Sequence, residues 1–439
     1  MQHALTVRTA RWCAGHSSPV VATWLAFILT AGLSGIGAAH WLAGPSAGGP
    51  DLTTSRWPLV ALVLGVVLLV LISPTRTPVP TLFTGVVAVA SVVLLGAVST
   101  AVPISPLAGD VAVLLVISMS VHHVLFALWR HREALAAGYD AADTAQVVAS
   151  TAGSAALVTG GTIVLATAVL VPIGGSALVP LATAVLVVVL IATVAALSLL
   201  PAMNGRLRHP TRRPPAPPAS LTVSRLPRWV RIATVAASAL ALGGLAGYGL
   251  LRVLGPADPD GVPLLDTTEA VSVTTLLTVP AVAMLVAFRP VVVTLVTVLL
   301  NLVSVLAGLG VLAALADPVP GWAPMALVVV LFASTTPFHV YLLHQLRSEA
   351  LTGMSPRNTI ARASRRAWTA SGGALVVTCG MWVIWGLTGH GDVRTFGLST
   401  AAVLAVDATL IRLLLLPKLV VLSGRTSWWR RVREPRNGR

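Results

Sequence analysis

One passage of this chain occurs twice, and this repeat constrains the fold more than any other feature of the sequence. The segment from Ser120 to Gly138 reappears in degraded form from Thr335 to Gly353. Each copy reads as an apolar helix that runs into a charged, amphipathic connector and ends on glycine. Internal repeats in strongly apolar chains are typical of secondary transporters. The sequence therefore predicts two copies of one membrane unit.

The composition is that of an integral membrane protein. Charged residues make up 10% of the chain and apolar residues 56%, whereas a soluble protein carries roughly 25% charged residues. Because a helix needs about 20 apolar residues to cross the hydrocarbon, the sequence predicts an all-α fold of twelve transmembrane helices in two six-helix repeats. The predicted spans lie near 19–42, 57–73, 80–103, 108–129, 148–171, 177–200, 229–254, 271–288, 291–315, 322–346, 368–388 and 396–422.

These spans divide the chain into three parts. We expect a first membrane repeat at 1–200, a Pro- and Arg-rich cytoplasmic linker at 201–228, and a second repeat with a basic tail at 229–439. The net charge of +15 comes from arginines in the segments predicted to be cytoplasmic. This bias sets membrane orientation, so it argues against nucleic-acid binding. It predicts a multi-pass protein of the bacterial plasma membrane with both termini in the cytoplasm.

Several short motifs resemble the mycobacterial membrane protein large (MMPL) family of the resistance–nodulation–division superfamily. They fall on predicted spans four, five, ten and twelve, and the resemblance covers nearly the whole chain. The resemblance implies a transport protein in which spans four and ten meet at the bundle centre. The matching residues are Phe126, Arg130, Arg132, Glu133, Thr151, Ala152, Gly153, Ala155, Thr159, Gly160, Arg347, Glu349, Asp407, Arg412, Pro417, Gly424, Arg425, Trp428 and Trp429.

The chain departs from that family in two ways. Family members carry large extracytoplasmic domains after spans one and seven, but here those places hold short segments near 43–56 and 255–270. Loops of that length form turns rather than domains. The family also has Asp-Tyr pairs that relay protons in spans four and ten. Here His122-His123 and Pro337-Phe338 stand in those places.

Three histidines are the candidates for a replacement proton relay. His122, His123 and His339 all lie deep in predicted spans, where ionisable side chains are expensive and are functional candidates by default. Imidazole titrates near neutral pH in water, so we expect any proton coupling to depend on these residues. The alternative is that neutral histidines hydrogen-bond across the bundle and the relay is a relic. A metal or haem site is disfavoured, because adjacent helical histidines point about 100° apart; no metal or cofactor is predicted.

Asp407 and Arg412 are the remaining charges inside a predicted span. Five residues apart on an α-helix, they should form a loose pair at best, with Arg412 reaching toward the cytoplasm. A structural or assembly role is favoured over a transport role, so Asp407→Asn should leave any proton coupling in place. Small residues that allow helices to pack closely are predicted at Gly153, Gly160, Gly373 and Gly380.

The function predicted from these observations is MMPL-like transport of a hydrophobic or lipid-like substrate, with the usual Asp-Tyr relay replaced. The alternative is a non-transporting accessory or scaffold subunit of an envelope-lipid or pump complex. The sequence has no nucleotide-binding loop and no nucleophile–base arrangement, which argues against an enzyme. Membrane lipids are expected partners, and a homo-oligomer or a second membrane protein is possible. The arginine-dominated, Ala- and Val-rich composition suggests an actinobacterial source.

Overall fold

Helices form almost all of the chain that the structure describes. This computed structural model describes residues 2–33, 78–102, 104–173, 175–205, 228–254, 267–288, 291–316, 319–350, 356–416 and 418–419. No strand occurs in these ranges. The predicted second span, the centre of the linker and the carboxy-terminal tail lie outside them.

In the first half, polar caps and glycine set the helix boundaries. Ser105 accepts a hydrogen bond from the backbone of Ala108 and so caps α4, and Gly138, with a φ of 87°, follows its end. Positive φ favours glycine. The helices are α1 (Gln2–Gly15), α2 (Ser17–Leu33), α3 (Val79–Ser99), α4 (Pro106–Ala136), α5 (Ala141–Val148), a π-helical turn (Ala149–Gly153), α6 (Ser154–Ile173), α7 (Gly175–Leu197) and α8 (Leu199–Asn204).

The second half is also built from long apolar helices. It ends in a second π-helix that directly continues the last α-helix. The elements are α9 (Arg228–Leu254), α10 (Thr267–Phe288), α11 (Val291–Leu315), α12 (Ala323–Ala350), α13 (Pro356–Thr388), α14 (Gly391–Val406) and the π-helix Asp407–Leu415.

Among the described residues, nine helices are long and apolar enough to cross a membrane, or ten if one bent pair counts as a span. That pair is α1 and α2, which meet at an angle of 94°. The sequence predicted one uninterrupted first span near 19–42. A separate helix precedes it and packs on α5 and α8 instead of continuing the axis of α2.

The two copies of the repeated passage lie at the centre of the bundle. The apolar windows of α4 and α12 are entirely buried, and the two helices contact each other. The rings of Phe126 and Tyr341 stack between them, with centroids 3.9 Å apart and planes 5° apart. The predicted meeting of spans four and ten is therefore observed. Helix α13 packs on α4, and α6 packs on α12.

Glycines bring some of the outer helices close together. A Cβ at Gly160 would overlap the side chain of Thr193, so α6 and α7 require a glycine there. Gly249 of α9 and Gly310 of α11 are equally crowded by backbone. Of the other glycines predicted to pack helices, Gly153 has neighbours no nearer than 3.9 Å. Gly373 and Gly380 are half-buried.

The two adjacent glycines of α6 allow a matched test of this packing. Gly160→Val should destabilise the protein by about 1–3 kcal/mol, because overpacking forces neighbouring side chains or backbone to move. Gly161→Val is the control, since an added Cβ there meets nothing within 4 Å. Thermal unfolding of the purified variants in detergent measures the difference. Equal midpoints for the two variants would show that α6 and α7 do not approach as described.

Candidate functional site

A buried ion pair lies in the second π-helix. The Nε of Arg412 donates to Oδ2 of Asp407 across 2.5 Å, and both side chains are almost fully buried. The sequence predicted a loose pair and an Arg412 that reaches out of the membrane, and both expectations were wrong. In a π-helix the hydrogen bonds run from i to i+5, so residues five apart lie on one face. This backbone geometry aligns the carboxylate with the guanidinium.

Neighbouring helices hold both ends of this pair. The hydroxyl of Ser304 on α11 donates to Oδ1 of Asp407 at 3.1 Å. The guanidinium of Arg412 lies 4.7 Å above the ring of Phe338 on α12, a cation–π contact that compensates part of the lost hydration. One turn from Ser304, the amide of Asn301 accepts a hydrogen bond from Thr335 at 2.7 Å. That contact joins α11 to α12 beside the ion pair.

The three candidate histidines differ in their surroundings. His339 is close enough to both Asp407 and Arg412 to interact with them electrostatically, and His122 is close enough to Arg412. We call Ser304, His339, Asp407 and Arg412 the central polar site. Nδ1 of His122 lies 2.8 Å from the backbone oxygen of Ser118. His123, the next residue, faces other elements and is not part of this site.

A second ionic cluster closes one end of the bundle, which we call the charged end. Arg366 of α13 bridges Glu133 of α4, at 2.5 Å, and Glu349 of α12. Arg130 also pairs with Glu133 at 2.6 Å, and Arg362 lies 3.8 Å from Glu349. Glu349 is nearly fully buried, whereas Arg366 is partly exposed. The cluster therefore ties the last turns of the two central helices to α13.

The central polar site contains groups that can bind or release a proton. It holds no set of metal ligands among the described residues. Among the described residues, no three His, Cys, Asp or Glu side chains group closely enough to hold a metal ion. The central polar site has one carboxylate, one guanidinium and one imidazole in an apolar surrounding. Protonating the carboxylate would remove one charge of the pair and leave Arg412 unbalanced. Sequence reasoning missed Ser304 as a partner of Asp407, although a carboxylate inside an apolar span was itself the signal of a polar site.

A multi-span helical bundle with ionisable groups buried at its centre is the architecture of a membrane transport protein. The model of the MMPL family matches residues 31–246. The predicted resemblance to the MMPL family is confirmed over this part of the chain.

Two curated relatives match a limited part of the chain. The mycolic acid-containing lipids exporter MmpL11 of Mycolicibacterium smegmatis is 28% identical over 107 residues, which are 24% of this chain and 11% of that protein. The heme uptake protein MmpL11 of Mycobacterium tuberculosis is 26% identical over 106 residues, with the same coverage. This chain therefore matches a small fraction of the length of either relative. Both are transport proteins, in agreement with the prediction that the chain is not an enzyme.

Solved structures extend the similarity to most of the fold. The crystal structure of SecDF from Thermus thermophilus, a translocon-associated membrane protein, superposes with a TM-score of 0.66 and 14% sequence identity. The superposition covers 84% of this chain and 62% of that chain. The super-membrane-facing form of SecDF gives the same TM-score and identity. At this identity the likeness describes the fold alone.

The buried ion pair leads to a prediction about stability. Asp407→Leu and Arg412→Leu should each destabilise the protein by about 3–5 kcal/mol, because each leaves one buried charge without its partner. The double variant should lose much less, because it buries no charge. Unfolding of all three variants in mixed detergent micelles measures these costs. Additive losses in the double variant would contradict a direct pair.

The charged end allows a separate test with adjacent arginines. Arg366→Gln should destabilise the protein by about 1–2 kcal/mol, because it removes a charged hydrogen-bonding partner from Glu349. Arg365→Gln is the matched control, since Arg365 is exposed and donates to the backbone of Ala361 in its own helix. The midpoints of thermal unfolding compare the two. If Arg365→Gln costs as much as Arg366→Gln, the bridge does not stabilise the bundle.

Proposed function

We propose that this chain is a proton-coupled membrane transport protein for a hydrophobic or lipid-like substrate, with the central polar site as its coupling site. One observation carries the proposal: an ion pair and a histidine lie together in an apolar bundle of the MMPL type. Ionisable groups at such a depth are costly and mark ion or proton pathways. The substrate class follows from the lipid exporter among the relatives.

The architecture that we propose for this function is twelve helices in two repeats, with the charged end in the cytoplasm. Phe126 and Tyr341 occupy equivalent positions in the two copies of the repeated passage. They stack on each other, as equivalent residues do beside a two-fold axis. The orientation rests on the arginines of the charged end and the positive-inside rule.

The coupling follows from the charges around Asp407. A proton that binds its carboxylate cancels the negative member of the pair, so Arg412 loses its partner in a medium where an unpaired charge is unfavourable. The two protonation states then favour different packings of the π-helix against α11 and α12. A ligand or proton shifts a conformational equilibrium through such differential stability. The proposal thus adds the Asp407 carboxylate to the histidines that the sequence favoured.

The second candidate is a non-transporting subunit of a larger envelope complex. The short segments near 43–56 and 255–270 favour it, because family members carry large domains in both places. In that case the central polar site serves only to hold α11, α12 and the π-helix in register.

Transport by the whole chain in proteoliposomes distinguishes the two. A fluorescent long-chain lipid analogue should move across the bilayer faster under an imposed proton gradient than without one. Asp407→Asn should abolish the effect of the gradient, and His339→Leu should reduce it, because both residues belong to the central polar site. His390→Gln, at an exposed position before α14, is the control and should transport normally.

Two outcomes would contradict the proposal. If the wild-type protein shows no response to the gradient for a panel of lipids, the subunit candidate is favoured. If Asp407→Asn retains full coupling while His122→Leu and His123→Leu together abolish it, the coupling site is the histidine pair of α4.

A further inference from the structure

His123 lines a pocket on the side of α4 that faces away from the central polar site. Helices α1, α5, α6, α7 and α8 and the π-helical turn Ala149–Gly153 form its other walls. The neighbouring His122 has its ring edge toward Phe126, at 5.9 Å, and Phe126 stacks on Tyr341 of α12. Consecutive residues of a helix point about 100° apart, so the side chains of the two histidines face different parts of the protein.

Two polar side chains face this pocket without a hydrogen-bond partner among the described residues. His123 and Asn204 are each 4% exposed. Within the described part of the chain, neither ring nitrogen of His123 and neither polar atom of the Asn204 amide makes a hydrogen bond. Buried polar groups are nearly always hydrogen-bonded, to protein or to ordered water. Two such residues on one pocket therefore point to a hydrogen-bonding occupant.

The size of the pocket indicates that this occupant is water. Its interior offers about 20 Å³ to the centres of water molecules, and about 10–15 Å³ of such space holds one water. A bound water also needs two to four polar partners. His123 and Asn204 supply donors and acceptors for it.

Helix α1 covers the pocket. Thr6 and Ala10 of α1 contribute to its lining, and Arg11 donates a hydrogen bond to Gln146 of α5. Farther along α1, Cys13 packs in an apolar cluster with Ala202 of α8. The sharp bend between α1 and α2 places α1 across the ends of α5 and α8.

We propose that this pocket, which α1 covers, binds one or two water molecules. His123 exchanges protons with the solvent through these bound waters. Among the described lining residues, His123 is the titratable one. The binding of water stands on the geometry of the pocket alone. The exchange of protons for transport rests on the proposed function.

Hydroxyl-radical footprinting of the whole protein in lipid nanodiscs tests the proposal, because radicals generated from bound water oxidise the side chains beside it. His123 should be oxidised several-fold faster than His339. The comparison is matched, since His339 is a similarly buried histidine of α12 that does not line this pocket. Fragment mass spectra resolve His123 from His122.

Filling the pocket should suppress the signal. Asn204→Leu removes one polar partner of the water and adds apolar volume, and Ala149→Val is a smaller change in the same wall. Either variant should bring oxidation of His123 down to the rate of His339. Gly161→Leu, in open space on α6, should leave the rate unchanged. Arg11→Ala should raise it, because it loosens the cover.

The outcomes separate this proposal from the proposed function. Equal oxidation of His123 and His339 in the wild-type protein overturns the water site, even if the protein transports. Rapid oxidation of His123 that persists in both filled variants also overturns it. Oxidation that follows the pocket establishes the water site. In that case, normal proton coupling in His123→Phe would overturn the proton-exchange role alone.

Discussion

The burial of opposite charges in an apolar bundle is the constraint on which the central structure depends. Moving a carboxylate and a guanidinium out of water costs several kcal/mol per ion. Asp407 and Arg412 recover part of that cost through their contact at 2.5 Å, and Ser304 and Phe338 contribute further. Ser304 lies on α11, and Phe338 lies on α12. The pair can therefore be accommodated only where those helices are held against the π-helix.

The rest of the bundle maintains that arrangement. The stacked rings of Phe126 and Tyr341 join the second halves of α4 and α12, and Arg366 joins the same helices at the charged end. The apolar windows of α4 and α12 are entirely buried. Polar groups placed there are shielded from lipid. The bundle thus has two fixed layers of contact between α4 and α12. The central polar site lies next to the layer of stacked rings.

Much of the fold could be predicted from the sequence, because the repeat and the apolar runs are local patterns. The family resemblance implied that spans four and ten would meet, and the stacked rings of Phe126 and Tyr341 show that they do. The π-helix could not be predicted, because a 3.6-residue period separates Asp407 from Arg412 whereas i to i+5 bonding aligns them. The turn of α1 also could not be predicted, since contacts with the distant α5 and α8 determine it. For the same reason, the close packing of α7 against Gly160 could not be predicted from the sequence.

The central claim is that the Asp407 carboxylate binds the coupling proton. Infrared difference spectroscopy of the reconstituted protein, recorded between neutral and acidic buffer, measures this directly. Acidification should produce the carbonyl stretch of a protonated carboxylic acid in an apolar surrounding, and Asp407→Asn should remove that band. If the band is unchanged in Asp407→Asn, the proton binds elsewhere and the ion pair has no part in coupling.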